Sequence, residues 1–399
     1  MGKLFSTPLR RGTNSLKWDL SSQRDVIPLW VADMDFTAPP AVIEAVQRRA
    51  GHGVFGYTYP GRSYFSAYAG WMQRRHGCIV SPRELLFAPG VMPLLRVALS
   101  LLVPPGGKVV VPEPVYYPFF SAVQDNGMQL VSVALVQDSG GRYMFDIDSL
   151  VPALQGADAL LLCSPQNPVG RVWTEQELKQ VLTAAAEAGT AVLVDEIHQD
   201  ILYPGVRFVP AWDVVRTAGL DMLLPRMLTV TAPSKTFNIP GLAASLVHIR
   251  DAELRRRVSH ELKVRFLDLP NILSLAAGEA AYNHGDAWLD EVLAVIYQNY
   301  EMLRDWAGRH DVVCTPQDGT YIVWLDFRGS SFDTAGNEAA KRMRSLSGVW
   351  LNEGADFTAL KLPDGRAAGT GFLRCNVATD PGILSEGLQR IGRVLQQGE

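Results

Sequence analysis

Between about residue 85 and residue 250, short apolar runs alternate with stretches of helical pattern, and most of the runs end in a polar turn bearing proline or glycine. The runs at 85–88, 108–111, 130–135, 159–163, 191–194, 228–230 and 246–249 have strand length. Helices are expected at about 91–102, 119–126, 148–154 and 174–188, with Asp148 and Thr174 as caps and Glu175 and Glu177 in the last helix's first turn. A hairpin is expected around Gly140-Gly141. Such alternation restricts the chain to an α/β fold with a mostly parallel, doubly wound sheet. The run Ala-Leu-Leu-Leu-Cys at 159–163 is apolar throughout, as strands covered on both faces are.

The flanks read differently. Residues 1–25 are polar and read as an arm, 26–31 as a short strand, and Pro39-Pro40 as the start of a helix through Arg49. Asp33 and Asp35 read as solvated turn residues rather than a paired-carboxylate site. Phe55-Gly56-Tyr57-Thr58-Tyr59-Pro60-Gly61 is a binding loop or a tight turn, followed by a helix at 63–76. Asp251 opens a helix to about 264. A long helix at 287–309 carries Leu289, Val292, Leu293, Ile296, Tyr300 and Leu303 at core spacing. Strands at 321–327 and 372–377, with helices at 334–346 and from Pro381, make a smaller α+β domain. The expected division is 1–45 as arm and part of the small domain, 46–280 as the large domain and 281–399 as the small one.

Composition narrows the function. With 37 basic and 41 acidic residues, the net charge of −4 argues against a nucleic-acid surface. No run approaches the roughly 20 apolar residues that cross a membrane. The four cysteines form no C-x-x-C pair and no metal spacing, and Cys163 and Cys375 read as buried hydrophobes. A reduced, cytoplasmic setting is expected.

Three polar residues come just after apolar runs: Asn167, Asp195 and Lys235. Lys235 by itself reads as a surface lysine in a loop. In an open α/β sheet, however, ligands sit at the carboxyl ends of strands. Lysine, aspartate and asparagine together suggest pyridoxal 5′-phosphate (PLP) held as an imine on Lys235, with Asp195 as the partner of the pyridine nitrogen. Leu85-Leu86-Phe87-Ala88, then Pro89-Gly90, then a helix from Val91 is an arrangement that cradles phosphate on free helical N–H groups.

Longer stretches carry a resemblance. They are Trp30-Val31-Ala32-Asp33-Met34-Asp35-Phe36, Phe55-Gly56-Tyr57-Thr58, Pro114-Val115-Tyr116-Tyr117-Pro118-Phe119, Ser164-Pro165-Gln166-Asn167-Pro168, Asp195-Glu196-Ile197-His198, Ser234-Lys235-Thr236-Phe237-Asn238, Gly319-Thr320-Tyr321 and Leu373-Arg374-Cys375-Asn376. In these the chain resembles the fold-type I PLP enzymes, specifically the cystathionine β-lyase (C–S lyase) group of MalY, PatB and cystalysin. The resemblance implies an aspartate aminotransferase-like fold and α,β-elimination of cystathionine, cystine or cysteine S-conjugates to pyruvate, ammonia and a thiol. It implies that Lys235 holds PLP and acts as the base, Asp195 pairs the pyridine nitrogen, and Asn167 bonds the phenolic oxygen. Tyr116 would stack on the ring and serve as an acid–base group, with His198 a neutral group nearby. The Val91 and Met92 N–H groups and the Ser234 hydroxyl would hold the phosphate, with Tyr57 reaching it from a second subunit of a homodimer. Arg374 would clamp the substrate carboxylate, with Asn167 and Tyr116 beside it.

Two positions depart from related enzymes. Ala232 stands where many have serine, leaving Thr231 as the nearest substitute, and Ala243 stands where aminotransferases usually carry a phosphate-gripping arginine. The alternatives are an aminotransferase acting on a small amino acid, and a lyase-fold protein with an added regulatory binding role.

Overall fold

The structure is a computed structural model and describes residues 3–21, 23, 25–333 and 338–397. An eight-stranded sheet forms its centre. In spatial order the strands are Leu85–Ala88, Ser245–His248, Met227–Thr231, Ala191–Asp195, Ala159–Cys163, Lys108–Glu113, Gln129–Gln137 and Tyr143–Phe145. The five from Met227–Thr231 to Gln129–Gln137 run parallel, while Ser245–His248 and the hairpin strand Tyr143–Phe145 run against them. This is the mostly parallel sheet of the aspartate aminotransferase-like fold.

The apolar runs are explained by two-sided burial. Alternate residues of the central strands enter two separate apolar clusters: Leu160, Leu162, Val192 and Val194 on one face, Leu161, Leu193, Val109 and Val111 on the other. Helix ends follow local chemistry. Thr174 and Glu177 form a reciprocal capping box for the helix Glu175–Ala188. The helix Ile147–Leu154 is capped by Asp146 rather than Asp148, because Asp146 has extended backbone and its side chain accepts the Ser149 N–H. The helix Ile272–His284 had no counterpart in the sequence reading. It turns Ser274, Ala277, Gly278, Ala281 and one large residue, Tyr282, inward, and a Cβ at Gly278 would stand 2.8 Å from the Tyr64 ring.

A second, antiparallel sheet has the order Val313–Cys314, Ile322–Asp326, Phe372–Asn376, Asn352–Glu353. The helices Asp286–Gly308, Ala339–Ser347 and Pro381–Gln397 accompany it; the expected helix start at 334–337 lies outside the described residues. The strand expected at 26–31 shrinks to Ile27–Pro28, paired with Val349–Trp350. The next residues instead run beside the second sheet, where Leu29 takes the Asn376 N–H at 2.8 Å.

The expectation for Asp33 and Asp35 is corrected by their surroundings. Asp35 is buried and accepts from Lys17 Nζ at 2.7 Å, Arg10 Nη1 at 2.8 Å and Trp18 Nε1 at 2.8 Å. Arg10 also forks onto both oxygens of Asp33. These carboxylates bind the N-terminal arm to the body by paired, hydrogen-bonded charge.

Candidate active site

Strand register gathers the site. Cys163 pairs with Asp195, Asp195 with Val230, Thr231 with Leu246, and Ser245 with Ala88. The segments bearing Asn167, Asp195, Ser234, Lys235, Val91 and Met92 therefore leave one edge of the sheet together. Tyr116 joins them from the end of Lys108–Glu113. Arg374 arrives from the second sheet and donates to Asn167 Oδ1 at 3.2 Å.

Lys235 lies in a one-turn helix, Pro233–Thr236, and its Nζ donates to the Ala32 carbonyl at 2.6 Å. The residues that follow it are fixed. Thr236 donates to buried Asp200 at 2.7 Å, and that carboxylate also takes Trp71 Nε1 at 2.9 Å and His76 Nε2 at 2.6 Å. Asn238 bonds the backbone of Met34 and Phe36. Burial, then the Arg374 charge, pull the Lys235 amine down to about 8.

Asp195 is 3% exposed and accepts the Ile197 N–H at 3.0 Å. Burial pushes it up to about 7, and among the described residues no cation lies within ion-pair distance. His198 is held down to about 3 by burial and by the Lys235 and Arg374 charges, so its imidazole is neutral. Burial pushes the Tyr116 phenol up to about 12, leaving it a protonated donor.

Arg374 is 3% exposed. Besides Asn167 it donates to the Trp30 carbonyl at 3.0 Å and Asn352 Oδ1 at 2.6 Å, and its guanidinium stands 4.8 Å from the Phe357 ring centroid. Its Nε has no hydrogen-bond partner, and among the described residues no carboxylate pairs with it. Burial draws it down to about 10, which leaves it charged at neutral pH. The Phe357 segment is itself pinned, since buried Glu113 accepts from Ala359 N, Leu360 N and Thr358 Oγ1 at 2.8–3.1 Å.

Other predicted residues stand apart. Tyr57 is 97% exposed and does not reach the site of its own chain. The Thr231 hydroxyl donates to the Glu196 carbonyl at 3.3 Å, so it is engaged there. Three participants had no role in the sequence reading. Tyr321 donates its hydroxyl to the Ala32 carbonyl at 3.0 Å and packs edge-on to His198 at 5.7 Å. The Ala32 carbonyl thus serves Lys235 and Tyr321 together, and Asn352 orients Arg374. Gly319-Thr320-Tyr321 was a visible signal for the first; a backbone carbonyl and a two-residue strand leave none.

PLP fits this donor set. Asp195 is a buried carboxylate in need of a cation, which a protonated pyridine nitrogen supplies. The helix Val91–Leu102 offers free N–H groups at the same sheet edge as the Ser234 hydroxyl, suited to a phosphate.

Comparison with known proteins agrees. Residues 24–391 match the aminotransferase class I and II family. The chain is 36% identical to the cystathionine β-lyase PatB of Bacillus subtilis, over 97% of this chain and 98% of that protein. It is 30% identical to a cystathionine β-lyase of Corynebacterium glutamicum, over 96% and 98%. Among solved structures, PLP-containing cystalysin from Treponema denticola superposes with a TM-score of 0.91 at 30% identity, covering 100% of both chains.

Proposed function

The chain belongs to the aminotransferase class I and II family and, within it, to the PLP-dependent carbon–sulfur lyases, and from that premise we propose that it catalyses α,β-elimination on L-cysteine derivatives substituted at sulfur. Cystathionine, cystine and cysteine S-conjugates are the substrate class, and a thiol, pyruvate and ammonia are the products. The observation that carries an amino-acid substrate is Arg374, a buried charged guanidinium without a carboxylate, bonded to Asn167 and within electrostatic reach of Lys235; elimination is supported by the likeness to the carbon–sulfur lyases. An amino-acid substrate brings the missing carboxylate.

Bound PLP supplies the electron sink for negative charge developing at the substrate α-carbon. Lys235 would hold the cofactor, and its free amine would take the α-proton. Its lowered basicity keeps part of the amine neutral near neutral pH. Asp195 would keep the pyridine nitrogen protonated. Asn167 would bond the phenolic oxygen, Tyr116 would lie against the ring and donate a proton, and His198 stays neutral. The N–H groups of Val91 and Met92 and the Ser234 hydroxyl would hold the phosphate, with Tyr57 arriving from a second copy of the chain. Four free cysteines accord with a reducing compartment, and we place the enzyme in the cytoplasm. Among the described residues no helix is long and apolar enough to cross a membrane.

Arg374→Ala tests the reading. It is expected to raise KM for S-substituted cysteines by about 100-fold with a smaller loss in kcat, because an intact charge pair with the substrate is removed. The variant should still bind PLP. An unaltered KM would contradict the assignment.

A further inference from the structure

Beside Arg374 a cleft of about 990 Å³ opens between the helix Ala339–Ser347, the strand Asn352–Glu353 and the residues Trp30 and Tyr117. It meets the site at Trp30 and Asn352, both hydrogen-bonded to Arg374. The Trp30 and Trp350 rings stack along it, 4.5 Å apart and 13° from parallel. The Arg344 guanidinium lies 4.4 Å from the Trp350 ring centroid, which restrains its direction.

The charges lining this cleft sort into satisfied and unsatisfied. Lys341 pairs with Glu338 at 2.9 Å, and Glu353 accepts the Ala340 N–H at 2.8 Å through one oxygen while its other oxygen is buried without a partner. Arg344 and Asp356 remain, opposite in sign. Among the described residues neither side chain has a hydrogen-bond or ion-pair partner, and they do not pair with each other. A cation and an anion left open in one aromatic-walled cleft match a ligand carrying both charges.

We propose that this cleft is a subsite for the distal end of the substrate, a second zwitterionic α-amino-acid group, with its carboxylate on Arg344 and its ammonium toward Asp356. The thioether chain then lies along Trp30 and Trp350, where sulfur–aromatic contact is favourable. A guanidinium fork suits a carboxylate better than a point charge does. The inference rests on the lyase reading and narrows its substrates to compounds with an amino acid on both sides of the sulfur, ahead of simple alkyl conjugates.

The test compares L-cystathionine with S-ethyl-L-cysteine on the PLP-loaded wild type, Arg344→Gln and Asp356→Asn. Either substitution should raise KM for cystathionine about tenfold and hold kcat within about twofold. S-ethyl-L-cysteine kinetics should not move, which also shows that the variants fold. Calorimetric binding of both compounds to Lys235→Ala protein, with and without Arg344→Gln, is read in parallel. Equal changes for the two compounds, or no change for cystathionine, would overturn the subsite. If the wild type releases pyruvate from neither compound while Lys235→Ala protein binds cystathionine through Arg344, the lyase reading fails and the subsite stands. If that dependence on Arg344 is absent, the subsite fails whatever the activity.

Discussion

Burial moves Asp195 and Lys235 toward each other, the carboxylate up to about 7 and the amine down to about 8. The consequence for Asp195 is a cost that cofactor binding relieves. In protein stripped of PLP, the folded chain holds a proton on Asp195 between 3.8 and about 7 that the unfolded chain has released. Stability from this residue therefore falls as pH rises through that window, and the loss is complete above it. Asp195→Asn removes the loss. In thermal denaturation of the cofactor-free protein, the variant and wild type should melt alike near pH ~4, with the variant melting higher near pH ~8. A wild type that melts higher at the upper pH would contradict the assigned burial. With PLP bound the sign reverses, because asparagine cannot pair with the protonated pyridine nitrogen.

At the scale of elements, most of the site was legible because strands covered on both faces read as unbroken apolar runs, and the polar residues just beyond such runs sit at the sheet edge. Asn167, Asp195 and Lys235 are visible in this way, before register brings them together. Pairings across the chain were not legible. Asp33 and Asp35 read as solvated because their partners, Arg10 and Lys17, lie in an arm with no periodicity of its own. The helix Ile272–His284 was hidden because its inward face is mostly small, with Tyr282 as its one large buried residue. The Asp35 contacts make a quantitative prediction. Lys17 is 1% exposed, so Asp35→Ala would leave its buried charge only the long contacts to Asp33, at 3.9 Å to the carboxylate and 3.4 Å to the carbonyl. The expected loss is about 3–5 kcal/mol of unfolding free energy, read by denaturant titration. A loss below about 1 kcal/mol would mean that the arm is held in some other way.

At the scale of the molecule, one site draws on residues from Trp30 to Arg374, yet Tyr57, with Phe55 and Tyr59 also exposed beside it, faces away from its own chain. If Tyr57 serves a second copy, inactive Tyr57→Ala and Lys235→Ala proteins should complement when mixed as dimers. One site of each hybrid would then combine Lys235 of one copy with Tyr57 of the other, and titration should show tight PLP binding restored there. Failure to complement would return Tyr57 to its own subunit or remove it from the site. The central claim, that this chain runs the shared chemistry of its family toward elimination, is tested most directly by counting pyruvate. PLP-loaded enzyme given L-cystathionine and no keto acid should release pyruvate over many turnovers per site, and Lys235→Ala should abolish it. Conversion of the cofactor to its amine form with no pyruvate would contradict the account and identify an aminotransferase.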